Sequence, residues 1–270
     1  MSTTEPSLTS EYAILTPLQV RIDTHARHSE HPDDPVATVL ATLALTGSED
    51  LADIGCGDGR FLARLAEHGH RGRLVGLDNS TAMVTAADAL PGVDAVVGDA
   101  ESLPFADDEF DAVTARHMLY HLPDPNQALR ELQRITRVGG RVAVSVNHPA
   151  TCARTRQLII DRATEYGLSP AADMVNHVNS RTLPTMMSMS TVFGDVRIHQ
   201  HDNALIFDAP EPLTRFAEAL FSFCGVDAAS PHRAAILDAV TGDIRDWFTT
   251  HPGQCWRDPK GYIVATAAVQ

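Results

Sequence analysis

Asp53-Ile54-Gly55-Cys56-Gly57-Asp58-Gly59 is the stretch on which the reading of this chain turns. It follows a short apolar run, Leu51–Ile54, that predicts a strand. It precedes Phe61, Leu62, Leu65 and Ala66, which form a helical stripe. Glycines let the backbone bend sharply and approach a ligand without a Cβ clash, and the helix beyond offers oriented N–H groups at its start. Asp78 stands 19 residues after Gly59, at the end of a second strand predicted over 73–78. In an open α/β sheet that point borders the crevice where a carboxylate holds ribose hydroxyls. The dinucleotide fingerprint requires Gly or Ala three residues after its second glycine. Arg60 occupies that place, so the fingerprint fails, and no GKS or GKT marks a P-loop. A carboxylate two residues ahead of the first glycine suits a ligand that carries positive charge and no pyrophosphate.

The surrounding pattern alternates. Ser80 N-caps a helix that runs to about residue 90, where Pro91-Gly92 ends it. Strands are predicted over 93–98, 110–115 and 141–146. Between the last two, a helix over 124–137 carries Ala128, Leu129, Leu132 and Ile135, and Gly139-Gly140 is expected to stop it. Such alternation implies a parallel sheet covered on both faces. Residues 1–45 read as helical, with Val36, Val39, Leu40 and Leu43 on one face behind a short polar tail. After Pro149 the alternation breaks. Residues 150–190 read as helical and then irregular, 191–207 as strand, turn, strand, 211–223 and 231–249 as helices, and 261–269 as a final strand.

Composition narrows the partners. The 270 residues carry 21 Lys+Arg against 35 Asp+Glu, a formal net charge of −14. Nucleic-acid affinity rests mainly on Lys and Arg meeting phosphate, and no basic run of five or more occurs, so nucleic acid is disfavoured. Lys260 is the only lysine, and its context, DPKGY, suits neither a Schiff base nor a P-loop. No run approaches the roughly 18 apolar residues of a membrane span. The start has neither a basic n-region nor an apolar h-region, so no secretory signal is expected. Cys56, Cys152, Cys224 and Cys255 are widely spaced without a CxxC, which reads as free thiols in a reducing cytoplasm.

LADIGCGDGRF, LVGLDNSTAM, VVGDAESLPFADDEFDAV and LRELQRITRVGGRVAVSV, in that order over about residues 48–148, resemble the motifs of the class I S-adenosylmethionine (SAM) dependent methyltransferases. AxHMLYHxPD, with the segment Arg21-Ile22-Asp23-Thr24-His25, is similar to a bacterial subfamily. The resemblance implies a Rossmann-like, doubly wound seven-stranded α/β sheet, mostly parallel with an antiparallel last strand. It also implies an N-terminal helical lid over 1–45, a SAM-binding core over 46–150, and a helical substrate cap with the final strands over 151–270. Asp53 and Gly55 would face the methionine end of SAM, Gly57 and Gly59 would give backbone proximity, and Asp78 would hold the ribose hydroxyls. Asn79, Asp99 and Ala100 would meet the adenine, and Arg116 and His117 would line the methionine end. For Asp53, Asp78 and Asp99 the plain alternative is a solvated turn carboxylate.

Methyl transfer is an in-line displacement, so positioning is the protein's main contribution, and a base is needed only for a protonated nucleophile. Histidine suits that task. His148 is the first candidate and His117 the second, while His121 would share a face with His117 on a helical turn; each could equally be a packed residue. The set His25, His28 and His31 spreads around a helix and is not a metal site; no metal is expected. A lid over SAM is expected from residues 10–31, with Arg21 or His25 near the carboxylate. Met186, Met187 and Met189, with Phe207, Phe216, Phe221 and Phe223, are either an acceptor pocket or the core of the added helices. The expectation is a cytoplasmic methyltransferase of a small-molecule acceptor from specialised-metabolite biosynthesis, without nucleic-acid or membrane partners; a homodimer is compatible with the sequence. The alternatives are a tRNA or rRNA methyltransferase, and a SAM-binding protein that transfers no methyl group.

Overall fold

The computed structural model describes residues 15–169 and 182–270. Among them run α1 (Leu15–His28), α2 (Pro35–Leu43), β1 (Leu51–Ile54), α3 (Arg60–Glu67), β2 (Leu74–Asp78), α4 (Thr81–Asp88), β3 (Asp94–Val97), β4 (Phe110–Arg116), α5 (Pro125–Ile135), β5 (Thr136–Asn147), α6 (Ala153–Glu165), α7 (Thr182–Phe193), β6 (Val196–Phe207), α8 (Pro210–Glu218), α9 (Arg233–Thr250) and β7 (Trp256–Ala268). The strands form one seven-stranded sheet in the order β3-β2-β1-β4-β5-β7-β6. Strands β1 to β5 pair in parallel, and β7 pairs antiparallel with β5. This is the Rossmann-like mixed sheet expected from the sequence.

Two compact units divide the chain. One comprises Asp34–Asn147, Ser180–His201 and Tyr262–Gln270; the other comprises Met1–Asp33, His148–Asn179 and Asp202–Gly261. In the first, β1 is buried along its whole length and the core gathers Leu43, Leu51, Phe61, Leu62 and Leu74. Three of its helices start where side chains replace missing backbone partners. Asp34 accepts from the Ala37 amide, Ser80 from that of Met83, and Asp124 from those of Asn126 and Gln127.

Gly139-Gly140 does not end α5. The helix stops at Ile135, where the buried Thr136 hydroxyl donates back to the Leu132 carbonyl at 2.6 Å. The glycines instead lie inside β5 where its register against β4 slips: Thr136 pairs with Phe110, but Arg141 pairs with Ala112. A Cβ at Gly140 would stand 2.8 Å from the carbonyls of Arg137 and Asp111, so the irregularity requires glycine.

The second unit is built around Phe207, Phe216 and Phe221, all with no exposed surface, together with Ile159, Ile236, Val240 and Ile244. These phenylalanines are core, which settles that alternative for them. Met189 is buried and Met187 is 72% exposed, both on α7, a regular helix in place of the irregular segment expected there. The strand-turn-strand expected over 191–207 is likewise a helix end at Phe193, a turn at Gly194 and one continuous strand. Within that strand the Asn203 side-chain amide reaches the 31–33 segment. It accepts from the His31 amide and donates to the His31 carbonyl and the Asp33 carboxylate.

Residues 15–33, part of the segment expected as a lid, are stitched to this second unit. Arg21 donates to the Ala219 carbonyl and lies over the Phe223 ring. The His28 ring stacks on Phe207 and meets the Ile206 carbonyl. Glu30 pairs with both nitrogens of Arg257. Lys260, 6% exposed, donates to Ser29 and sits 2.9 Å from Asp33. Residues 10–14 of that expectation, and the polar tail, lie outside the described residues. At the start of α6, Cys152 offers no side-chain cap, and the buried Asp258 of β7 accepts from the amides of Arg154 and Thr155 instead. Burial raises the Asp258 carboxyl above its usual range.

Removing one partner of a buried ion pair leaves an uncompensated charge. K260M therefore lowers unfolding stability by about 3–5 kcal/mol in urea titrations, and D33N/K260M recovers much of the loss; equal stability of K260M and wild type would contradict the burial. The second expectation concerns pH. His25 is held near a pKa of about 4 against an ordinary 6.5, first by burial and then by the Lys260 charge. The unfolded chain then binds more protons than the folded one between these values, so stability falls as pH drops through that window. In H25F that part of the slope disappears.

Candidate functional site

The order of the parallel strands reverses at β1, between β2 and β4, which is where open α/β sheets bind ligands. The glycine turn leaves β1 there. The amides of Gly55 and Cys56 both donate to the Leu77 carbonyl, at 2.7 and 3.0 Å, tying the turn to the end of β2. The Gly57 amide donates to Asp78 at 2.9 Å, and the other Asp78 oxygen accepts from the Ser80 amide at 2.9 Å. Gly55, Gly57 and Gly59 all have positive φ. At Gly55 a Cβ would stand 2.7 Å from Met118, whereas at Gly57 it would meet nothing within 4 Å. Gly55 is thus required by packing, and Gly57 presents open backbone.

Cys56 turns inward against Gly76, where an added Cβ would lie 2.7 Å from its sulfur. Burial, followed by the charges of Asp53 and Asp78, pushes this thiol up to about 12.

Asp53 has no exposed surface. One oxygen accepts from the Thr114 hydroxyl at 2.7 Å and from Arg116 Nε at 3.2 Å; the other accepts from Arg116 Nη2 at 2.8 Å. The guanidinium lies 4.2 Å over the Phe61 ring. Arg116 Nη1 has no hydrogen-bond partner among the described residues, and the side chain keeps 17% of its surface exposed. The structure therefore brings Asp53 and Arg116 together, with the acid inside and the cation outward.

His117 follows β4 with φ +53 and donates its amide to the Ser145 carbonyl. Left-handed backbone is uncommon outside glycine and collects at functional sites. This kink separates His117 from the short turn Leu119–His121, so the two histidines share no helical turn. The His121 ring packs edge-on to Tyr120. Asn79 is exposed, Asp99 is exposed with one oxygen on the Glu101 amide, and Ala100 is buried.

His148 belongs to the other unit. Its Nδ1 accepts from the Ala150 amide at 3.1 Å, which places the ring proton on Nε2, 3.7 Å from Asp202. Among His25, His28 and His31, the first packs on Phe216, the second on Phe207, and the third ties its backbone to Asn203.

These features suit an adenosyl ligand with an amino-acid tail. Asp78 uses one lone pair per oxygen on backbone amides and has others left; Gly57 presents open backbone; Arg116 Nη1 has no hydrogen-bond partner among the described residues. Sequence reasoning missed Thr114, Phe61 and Met118. Thr114 was within reach, because it lies two residues before Arg116 on one face of β4 and pairs in register with Asp53.

Residues 52–144 match the family model described as a methyltransferase domain. The chain is 35% identical over 144 residues to the 2-phytyl-1,4-naphtoquinone methyltransferase of Thermosynechococcus vestitus, covering 48% of this chain and 64% of that one. It is 40% identical over 111 residues to the demethylmenaquinone methyltransferase of Roseiflexus castenholzii, covering 38% and 46%. The chain thus spans less than two thirds of the curated relatives it matches. Among solved structures, a protein from an antibiotic biosynthesis pathway of Anabaena variabilis, assigned as a methyltransferase, superposes with a TM-score of 0.57 at 18% identity over 85% of this chain and 95% of that one. The 4+2 cyclase SpnF superposes with a TM-score of 0.54 at 18% identity over 98% of both chains. At such identity these two share the fold.

The thiolate is the reactive form of cysteine. Iodoacetamide at pH 8 should therefore label exposed Cys255 in the folded chain and leave buried Cys56, Cys152 and Cys224 untouched. Peptide mass spectrometry reads this directly, and labelling of Cys56 at the rate of Cys255 would refute the inward placement of the turn.

Proposed function

From the match of residues 52–144 to the family model described as a methyltransferase domain, we propose that this protein belongs to that family and moves the methyl group of SAM onto a small organic acceptor. The observation that carries the reading is the fixture at the switch point, in which Asp78 holds the Gly57 amide and Asp53 holds Arg116. SAM, when bound, supplies a methyl group already activated on its sulfonium. Asp78 takes the ribose hydroxyls, and Asn79, Asp99 and the Ala100 amide take the adenine. Gly55, Gly57 and Gly59 shape the turn so that the ligand lies against backbone.

Arg116 meets the tail carboxylate, and Asp53 acts through Arg116 as a positioning residue. A bidentate pair fixes the guanidinium plane as well as its place. Of the two catalytic candidates, His117 suits the base. His148 suits a fixed N–H donor, since the Ala150 amide occupies its Nδ1 lone pair. Positioning of this kind supplies about 7–11 kcal/mol of a barrier, and a base typically adds 10²–10⁴-fold. The names of the curated relatives support a quinone-type small-molecule acceptor, and the formal charge of −14 weighs against tRNA or rRNA.

A second reading, SAM binding without methyl transfer, is favoured by one observation: a protein named a cyclase shares the fold over nearly its whole length. The test is transfer of tritiated methyl from SAM into a panel of hydroxynaphthalenes, beside calorimetric SAM binding. Label in the acceptor supports the first reading. Saturable binding with no label in any acceptor supports the second, and absence of binding ends both.

In the same assay D78A weakens SAM binding at least tenfold, and unchanged affinity would remove the ribose assignment. D53N leaves the carboxylate contact to a misplaced Arg116, raising the KM for SAM more than it lowers kcat. H117A lowers turnover with SAM affinity nearly intact; wild-type turnover would remove it as base.

A further inference from the structure

The resemblance in the sequence turns Asp53 toward the methionine end of a ligand, and the structure turns it away. Its carboxylate has no exposed surface, while the Arg116 side chain that covers it stays partly exposed. Three donors already reach the acid: the Thr114 hydroxyl and Arg116 Nε on one oxygen, Arg116 Nη2 on the other. A ligand's ammonium therefore cannot touch Asp53 without displacing the arginine. The other carboxylates around the turn are engaged as well. Asp58 pairs with Arg60 at 2.6 Å. Asp78, on the other side of β1 at the end of β2, holds the Gly57 and Ser80 amides and is the acid assigned above to the ribose.

What the fixture offers instead is the open side of a guanidinium. An arginine carries five N–H groups in one plane. The Nε hydrogen and one Nη2 hydrogen go to Asp53, along the inner edge of that plane. The second Nη2 hydrogen and both on Nη1 have no acceptor among the described residues. One hydrogen from each of these two nitrogens forms a second fork at the end of the plane, the shape that takes a carboxylate bidentately. The plane is also held in place. Asp53 fixes one edge, the buried Thr114 hydroxyl fixes Asp53 at 2.7 Å, and the Phe61 ring lies 4.2 Å from the guanidinium carbon. A carboxylate fits this fork. An ammonium has no lone pair to give and meets a cation.

We propose that this site grips adenosyl ligands by a terminal carboxylate and is indifferent to the α-amino group of the tail, with Arg116 the specificity-determining residue and Thr114 a positioning residue that acts through Asp53. The ligand class is thereby wider than SAM and its demethylated product. An adenosyl thioether acid without the amino group belongs to it, and an adenosyl thioether amine without the carboxylate does not. This deepens the cofactor side of the proposed methyl transfer and rests on that reading.

The full chain is titrated calorimetrically with S-adenosylhomocysteine, with its deaminated acid and with its decarboxylated amine. The acid is expected to bind as tightly as the parent. The amine is expected to bind about tenfold weaker or worse, the worth of a hydrogen bond between charged groups. R116K keeps a cation beside Asp53 and loses the planar fork, so acid and amine draw together in affinity. T114V removes the hydroxyl that holds Asp53 and narrows the same gap, while T114S restores it. A role in folding alone would shift the melting temperature of T114V and leave the ratio of acid to amine unchanged, which would remove Thr114 from the proposal. The carboxylate assignment is overturned if the deaminated acid loses as much affinity as the decarboxylated amine, or if R116K keeps the wild-type ratio. The two readings fail differently. If S-adenosylhomocysteine itself does not bind, the methyl-transfer reading falls and takes this one with it, whereas a bound parent that relies equally on both tail groups sinks only the tail assignment.

Discussion

A carboxylate with no exposed surface sits at the end of the first strand, and its neighbours are arranged to accommodate it. The Thr114 hydroxyl and two nitrogens of Arg116 supply the hydrogen bonds that a buried carboxylate needs. Satisfying it fixes the end of β4 against β1, holds the guanidinium over Phe61, and orients the chain that kinks at His117. The glycine turn on the other side of β1 is closed independently, by the Leu77 carbonyl and by Asp78. Two locks therefore bracket one strand terminus: one couples Asp53 to the partly exposed Arg116, the other couples Asp78 to the open backbone of Gly57.

The two units solve different problems. The sheet unit carries all the family-matched residues and its core is made of short apolar strands and their covering helices. Both units are assembled from three separated stretches of chain, and the other unit joins its stretches with cross-links between distant residues. It finds them in polar side chains: Asn203 and Lys260 reach the 29–33 segment, and Asp258 caps a helix that has no cap of its own. Buried polar networks of this type fix geometry when every member is satisfied.

Local chemistry made most of the sheet unit legible. Leu51–Ile54, the glycine turn, Asp78 and the caps Ser80 and Asp124 each act through neighbours a few residues away, and all fall where the sequence puts them. Errors arose where a residue with a strong local habit was used for a distant purpose. Gly139-Gly140 read as a helix stop and serves a strand irregularity against Asp111. The strand, turn, strand expected over 191–207 is instead one strand from Val196, in which Asn203 holds a residue 172 positions away. The inward orientation of Asp53 was hidden for the same reason, since a DxGxGxG pattern does not reveal that its acid is matched to an arginine at the end of another strand.

Lys260, the sole lysine, lies beneath Asp33 with 6% of its surface showing. The folded molecule consequently offers acylating reagents almost no side-chain amine, and its outer cations are guanidinium groups, whose charge persists through any alkaline range a protein tolerates. Amine chemistry at residue 260 is thereby coupled to opening of the unit that holds it. A slow acylation clock would read the lifetime of that unit without any engineered label.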